Sequence, residues 1–236
     1  MNLILLQPSD FIASQRVRLQ GRRLQHVLEV HQAELGQRLQ VGLINGPTGL
    51  GTVLSLNHDS LELEVELNTP ALPPLPLTLI LALPRPKMLK RILQHCTSLG
   101  VQRLVLLNAY KVEKSYWQTP ILEAASVQEQ LILGLEQART TFLPEVMLRK
   151  RFKPFVEDEL ATLAADSQKL VAHPYTEHAC PTNLQQACTL AVGPEGGFIN
   201  YEVEKLQEQG FQAVHLGPRI LRVETAVPVL ISKLYY

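Results

Sequence analysis

Four prolines fall within eight residues at Thr69-Pro70-Ala71-Leu72-Pro73-Pro74-Leu75-Pro76. Proline lacks an amide proton and fixes φ, so such a run fits neither a helix interior nor a central strand. It divides the 236 residues into two regions that follow different rules, with a domain linker over 69–76. Before the linker the apolar residues alternate, as at Val17/Leu19, Leu39/Val41/Leu43, Val53-Leu54 and Leu61-Glu62-Leu63-Glu64-Val65-Glu66-Leu67. Period two, with leucine and valine on one face and glutamate on the other, marks strands solvated on one side. Asn45-Gly46-Pro47-Thr48-Gly49 lies between two such runs and reads as a hairpin turn. Residues 1–68 are therefore expected to form a small β-barrel, with a short helix near Arg22 to His31.

After the linker the period changes. Leu77 to Leu83 is nearly continuous apolar sequence, as in a parallel strand buried on both faces. Met88, Ile92, Leu93, Cys96 and Leu99 then recur at helical spacing, and Gly100 closes the helix. The spacing predicts strands at Arg103 to Leu107, Lys169 to Ala172, Thr189 to Val192 and Ala213 to Leu216. Helices are predicted from Pro120 through Gln137, Pro154 to Ala165, Tyr201 to Gln209 and Thr225 to Tyr236. Strands alternating with helices over 77–236 imply an α/β domain with a mainly parallel sheet.

Two glycine-containing turns close two of these strands: GPEGGF at Gly193 to Phe198, and LGPRILRVETA at Leu216 to Ala226. Strand ends of open α/β sheets leave backbone N–H and C=O groups free, and small ligands bind there. Two such loops point to one pocket built mostly from main chain, hence to an enzyme or a cofactor binder.

Charge excludes a global attraction to polyanions, because 22 Lys and Arg balance 22 Asp and Glu. Nucleic-acid contact would have to come from local clusters. Three are present: Arg16, Arg18, Arg22 and Arg23; Arg85, Lys87, Lys90 and Arg91; and Arg149-Lys150-Arg151 with Lys153. Cys96, Cys180 and Cys188 lack CxxC spacing, which suits a reducing compartment and suggests neither a disulfide framework nor a metal site. The opening MNLILLQPSD has no basic segment ahead of its apolar run, and no stretch reaches the length of a membrane helix. A cytoplasmic protein without membrane contact is expected.

His26-Val27-Leu28, the Lys87 to Val101 segment ending in LGV, Glu136 to Arg139 (EQAR), Pro144 to Val146, His173-Pro174 and the two glycine motifs run through almost the whole chain. Together they resemble the RsmE family of the SPOUT superfamily, which methylates N3 of a uridine in bacterial small-subunit (16S) ribosomal RNA. The resemblance implies a PUA-like RNA-binding barrel, then a methyltransferase domain with a C-terminal trefoil knot. It also implies bound S-adenosylmethionine, an rRNA or assembled small-subunit substrate, and a homodimer.

Carried onto this sequence, the resemblance assigns cofactor contacts to His173, Pro174, Gly193, Pro194, Glu195, Gly196, Gly197, Leu216, Gly217, Leu221, Arg222, Thr225 and Ala226. The glycines would let the backbone approach the cofactor. Leu216, Gly217 and Leu221 would meet adenine. Methyl transfer to a ring nitrogen needs that nitrogen deprotonated, and a planar guanidinium suits the resulting uracil anion. Arg222 is the candidate for this role or for orienting the base; the alternative is an ion pair with Glu195 or Glu224. Glu224 is either a general base or a structural partner. Thr225 would cap the last helix. RNA contacts fall to Arg16, Arg18, Arg22, Arg23, Lys87 and Arg139. Rival readings are a non-catalytic RNA-binding assembly factor and a methyltransferase for another RNA position.

Overall fold

The computed structural model describes residues 2–236, which form two compact units. The first comprises the chain up to Pro73 together with Ile132–Leu143; the second comprises Pro74–Leu131 and Pro144–Tyr236.

In the first unit six strands form one sheet: β1 (Ile4–Leu6), β2 (Phe11–Ala13), β3 (Arg16–Leu19), β4 (Arg38–Leu43), β5 (Thr48–Leu56) and β6 (Leu61–Thr69). The order is β1-β4-β5-β6-β3-β2, with β1 parallel to β4 and every other pair antiparallel. Alternation in β6 resolves as the charge pattern requires: Leu61, Leu63 and Val65 are buried, while the glutamates between them face outward. Val17, Leu19, Leu39, Val41 and Val53 complete that core. The hairpin between β4 and β5 turns at Asn45, whose φ of 56° is left-handed and tolerated by asparagine. Helix α1 (Arg22–His26) continues into a π turn over Val27–His31.

The second unit holds a six-stranded sheet in the order β12-β10-β11-β7-β8-β9. Its strands are β7 (Leu75–Ala82), β8 (Val101–Leu107), β9 (Glu145–Arg149), β10 (Gln168–Ala172), β11 (Cys188–Val192) and β12 (Gln212–Val214). All five pairings are parallel. The continuous apolar run of β7 follows from this, since Leu77, Leu79, Ile80 and Leu81 are all fully buried. Helix α2 (Pro86–Ser98) buries Leu89, Ile92, Leu93 and Cys96, and Gly100 ends it with a φ of 78°. Pro120 opens a short 3-10 turn (Pro120–Leu122) rather than the long helix, because α3 (Ala124–Ala138) starts only after Glu123. The next helical stretch is α4 (Phe152–Pro154), a π turn (Phe155–Glu159) and α5 (Leu160–Leu163). Helices α6 (Asn200–Glu208) and α7 (Val223–Tyr235) follow. Strand β9 lies in a stretch read from sequence only as a PEV segment beside a basic run, since five half-exposed residues give too short a period to register. Among the described residues, no helix is long and apolar enough to cross a membrane.

Candidate functional site

Strands β12, β10 and β11 are neighbours in the parallel sheet, so their C-terminal ends open side by side. The residues that follow them are His215 to Gly217 with Arg219 to Leu221, His173 to Tyr175, and Gly193 to Tyr201, and these line one cavity of about 950 Å³. Crevices at carboxyl ends of parallel strands, of a few hundred to about 1,000 Å³, are where ligands bind in such sheets. Helix α7 contributes Val223, Ala226 and Leu230, and the loop after β8 contributes Lys111.

The turn after β11 is shaped by sterics. A Cβ on Gly193 would stand 2.7 Å from the Phe198 nitrogen, so the chain can fold back there only with glycine. Gly197 donates to the Pro194 carbonyl at 2.7 Å, and its φ is 68°. Around this turn the second unit supplies three ties. The Lys111 ammonium donates to the Gly196 carbonyl at 2.7 Å, and the Glu195 carboxylate accepts from the Arg85 amide at 3.0 Å. Glu202, buried and 2% exposed, accepts from the amides of Tyr110 at 2.7 Å and Ile199 at 3.0 Å, which fixes both the start of α6 and the loop after β8. A buried carboxylate requires such partners, and these two satisfy one oxygen each.

On the opposite wall, His173 donates its amide to Val214, holding the ends of β10 and β12 together. Its ring meets Tyr175 edge-on, with centroids 5.8 Å apart, and burial lowers its pKa from the ordinary value near 6.5. Among the described residues, the amides of Leu216 and Leu221 carry no hydrogen bond within the protein. Main-chain donors at a cavity wall, two tight glycine turns and apolar neighbours suit a flat, polar-edged heterocycle.

Of the residues assigned to the cofactor from sequence, His173, Pro174, Gly193 to Gly197, Leu216, Gly217, Leu221 and Ala226 line this cavity. Arg222, Glu224 and Thr225 lie on the same segment outside its lining. Thr225 does not cap α7. The helix begins at Val223, so Arg222 is the N-cap and Thr225 the third helical residue. Arg222 is exposed, and among the described residues it pairs with neither Glu195 nor Glu224. Glu224 sits in the first turn of α7, where the helix dipole favours a carboxylate.

The basic residues divide. Arg22 holds Glu136 with two hydrogen bonds of 2.8 and 2.9 Å, and Arg23 grips Asp10, with its second bond at 2.7 Å, as well as the Leu5 carbonyl. Arg18 pairs with Glu62 at 2.8 Å. Arg16 and Lys87 are exposed, and Arg139 ends α3 with a left-handed φ of 56°. Arg149 pairs with Glu159, and Lys150 lies 6.0 Å from the Trp117 ring centre. Lys111, Tyr175, Tyr201, Arg219 and Ile220 line the cavity without having been singled out from sequence. Arg219 and Ile220 lie within the second glycine motif, and Tyr175 and Tyr201 follow His173-Pro174 and GPEGGF, a proximity that could have found them; Lys111 adjoins no motif. Among the described residues, no group of three or more His, Cys, Asp or Glu is placed to hold a metal.

Residues 71–235 match the family model of an RNA methyltransferase domain. The chain is similar to the ribosomal RNA small subunit methyltransferase E of Treponema pallidum, 28% identical over 96% of this chain and 87% of that protein. It is also similar to the protein of the same name from Synechocystis, 32% identical over 68% of this chain and 53% of the relative. Its fold matches a crystal structure of ribosomal RNA small subunit methyltransferase E from Neisseria gonorrhoeae bound to S-adenosyl methionine. That match has a TM-score of 0.80 at 25% identity and covers 98% of this chain and 95% of the other. Matched by that model over 71–235, the chain belongs to the RNA methyltransferase family.

Proposed function

We propose that this protein transfers a methyl group from S-adenosylmethionine to N3 of a uridine in small-subunit (16S) ribosomal RNA. The observation that carries the reading is the single cavity formed where β10, β11 and β12 end, walled by both glycine motifs. A cavity of about 950 Å³ has room for a folded nucleoside with an amino-acid chain. The cofactor, when bound, supplies an electrophilic methyl group on a sulfonium.

The chain's own residues account for the rest. Leu216 and Leu221 offer unpaired amides and apolar side chains for an adenine edge and face. Gly193 and Gly197 let the backbone pass close to the ligand, and Lys111 and Glu195 pin that loop. Holding the reacting groups in place is itself a large part of catalysis. His173, kept neutral by burial, adds no positive charge beside a sulfonium. Arg222, free of Glu195 and Glu224, is available to stabilise the uracil anion that forms when N3 loses its proton. Glu224, one residue into α7, is the neighbouring carboxylate for that proton or for fixing the loop.

The reading includes a PUA-like barrel closed from the first unit's sheet, a trefoil knot among the loops of the cavity, and a homodimer acting in the cytoplasm. RNA contact falls to the exposed Arg16, Lys87 and Arg139, with an RNA-binding domain over 1–68, to which Ile132–Leu143 adds, and a catalytic domain over the rest of 77–236. Of the 69–76 run, Thr69 ends β6 and Leu75 and Pro76 begin β7, which leaves 70–74 as the connection. The test is mass spectrometry of 16S rRNA from a strain lacking the gene. Loss of one N3-methyluridine, restored by the gene, supports the assignment; an unchanged modification profile removes it.

A further inference from the structure

His215 follows β12 directly, and both its backbone groups are occupied. Its amide donates to the His178 carbonyl and its carbonyl accepts from the Cys180 amide, each at 2.9 Å. The α-carbon is thus fixed on two sides, which aims the side chain. Its Nδ1 accepts a hydrogen bond from the Gly217 amide at 2.9 Å. Gly217 has a φ of 119°, a conformation that residues with a Cβ rarely adopt. Nothing lies within 4 Å of an ideal Cβ there, so no neighbour presses on the turn from that side. Among the described residues, the imidazole is the hydrogen-bond partner of the Gly217 amide.

We infer that His215 is a positioning residue: its Nδ1 straps the Gly217 turn into the shape that presents Leu216 and Leu221 to the cofactor. The inference rests on the cofactor reading, because His215, Leu216, Gly217 and Leu221 all line the proposed pocket. An acceptor at Nδ1 places the ring proton on Nε2. A side-chain acceptor serving the amide two residues on is also the geometry of an asparagine turn. Asparagine at 215 can therefore replace the bond, whereas phenylalanine keeps the ring volume and offers no acceptor.

The full chain and its His215→Asn and His215→Phe variants are titrated with S-adenosylmethionine by calorimetry. Binding by H215F is expected to weaken about tenfold, the size of one hydrogen bond, while H215N stays within about twofold of the parent. A side chain that only fills space would order the variants the other way, since phenylalanine is the better volume match. Nitrogen NMR of the unaltered protein reads the ring independently, with the proton expected on Nε2. Equal binding by H215F and parent, equal weakening of both variants, or a proton on Nδ1 overturns the strap. No binding by the parent overturns the cofactor reading itself. If H215F fails to fold, the NMR result and the H215N affinity decide.

Discussion

Arg22 and Arg23 of the first unit play the opposite part from Arg219 and Arg222 of the second. In the first, Arg22 and Arg23 are tied to Glu136 and Asp10, carboxylates only 8% exposed, and serve to keep buried charge paired. Of the second pair, Arg219 lines the cavity and Arg222 stands exposed at the start of α7, with no ion pair among the described residues. A charge cluster in sequence therefore indicates nothing about availability; the partner decides, and partners such as Glu136 lie more than a hundred positions away.

The largest effect that would sharpen this contrast is in turnover. Arg222→Ala should lower kcat about 10³-fold, the cost of one donor that stabilises a developing anion, with cofactor affinity and melting temperature close to the parent. Equal loss of affinity and turnover would make Arg222 a builder of the pocket and break the comparison. Next in size is Arg23→Ala, which strands the Asp10 carboxylate and should cost about 3 kcal/mol in urea unfolding while leaving cofactor affinity unchanged. If RNA affinity fell instead, with stability kept, the first unit's arginines would belong to the RNA surface.

A third test concerns backbone alone. Gly193→Ala brings a methyl group against the Phe198 nitrogen, 2.7 Å from an ideal Cβ, and rigid backbone cannot yield as a flexible side chain does. Overpacking of this kind costs about 2 kcal/mol, so cofactor affinity should fall about 30-fold by calorimetry. An alanine variant that binds like the parent would show that the turn is not part of the pocket.

How much of this was legible from sequence follows from the range of each signal. The period-2 runs and the unbroken apolar strand both resolve as expected, because alternation and burial on two faces are local consequences of strand geometry: β6 buries every second residue, and β7 buries nearly all. The two glycine motifs pointed to the ends of β11 and β12, and both ends line one cavity together with the end of β10. Strand β9 escaped notice, as did Lys111, whose grip on Gly196 joins residues 85 positions apart. The start of α7 was misplaced by two residues because threonine is the commoner cap, yet Arg222 occupies the position with no side-chain cap bond. The pairing of Arg23 with Asp10 was equally invisible, since an arginine in a basic cluster looks the same whether its carboxylate is near or absent.

The smallest effect is one of pH, and it separates a titrating wall of the pocket from the fixed pairs of the first unit. Burial lowers the pKa of His173 from about 6.5, so the unfolded chain takes up its proton at a higher pH than the folded chain does. Stability is then at its full value above the ordinary pKa, declines as pH falls from there through the folded one, and levels off below it, where both states are protonated. Once pH reaches the lowered value an imidazolium would face the sulfonium site, so cofactor affinity should weaken at a lower pH than stability does. His173→Gln removes the proton and should flatten both curves between pH 5 and 8, measured about 6.5 as melting temperature and as calorimetric affinity. Parallel slopes in variant and parent would place the titration elsewhere, and an affinity slope without a stability slope would mean that a different group meets the cofactor's charge.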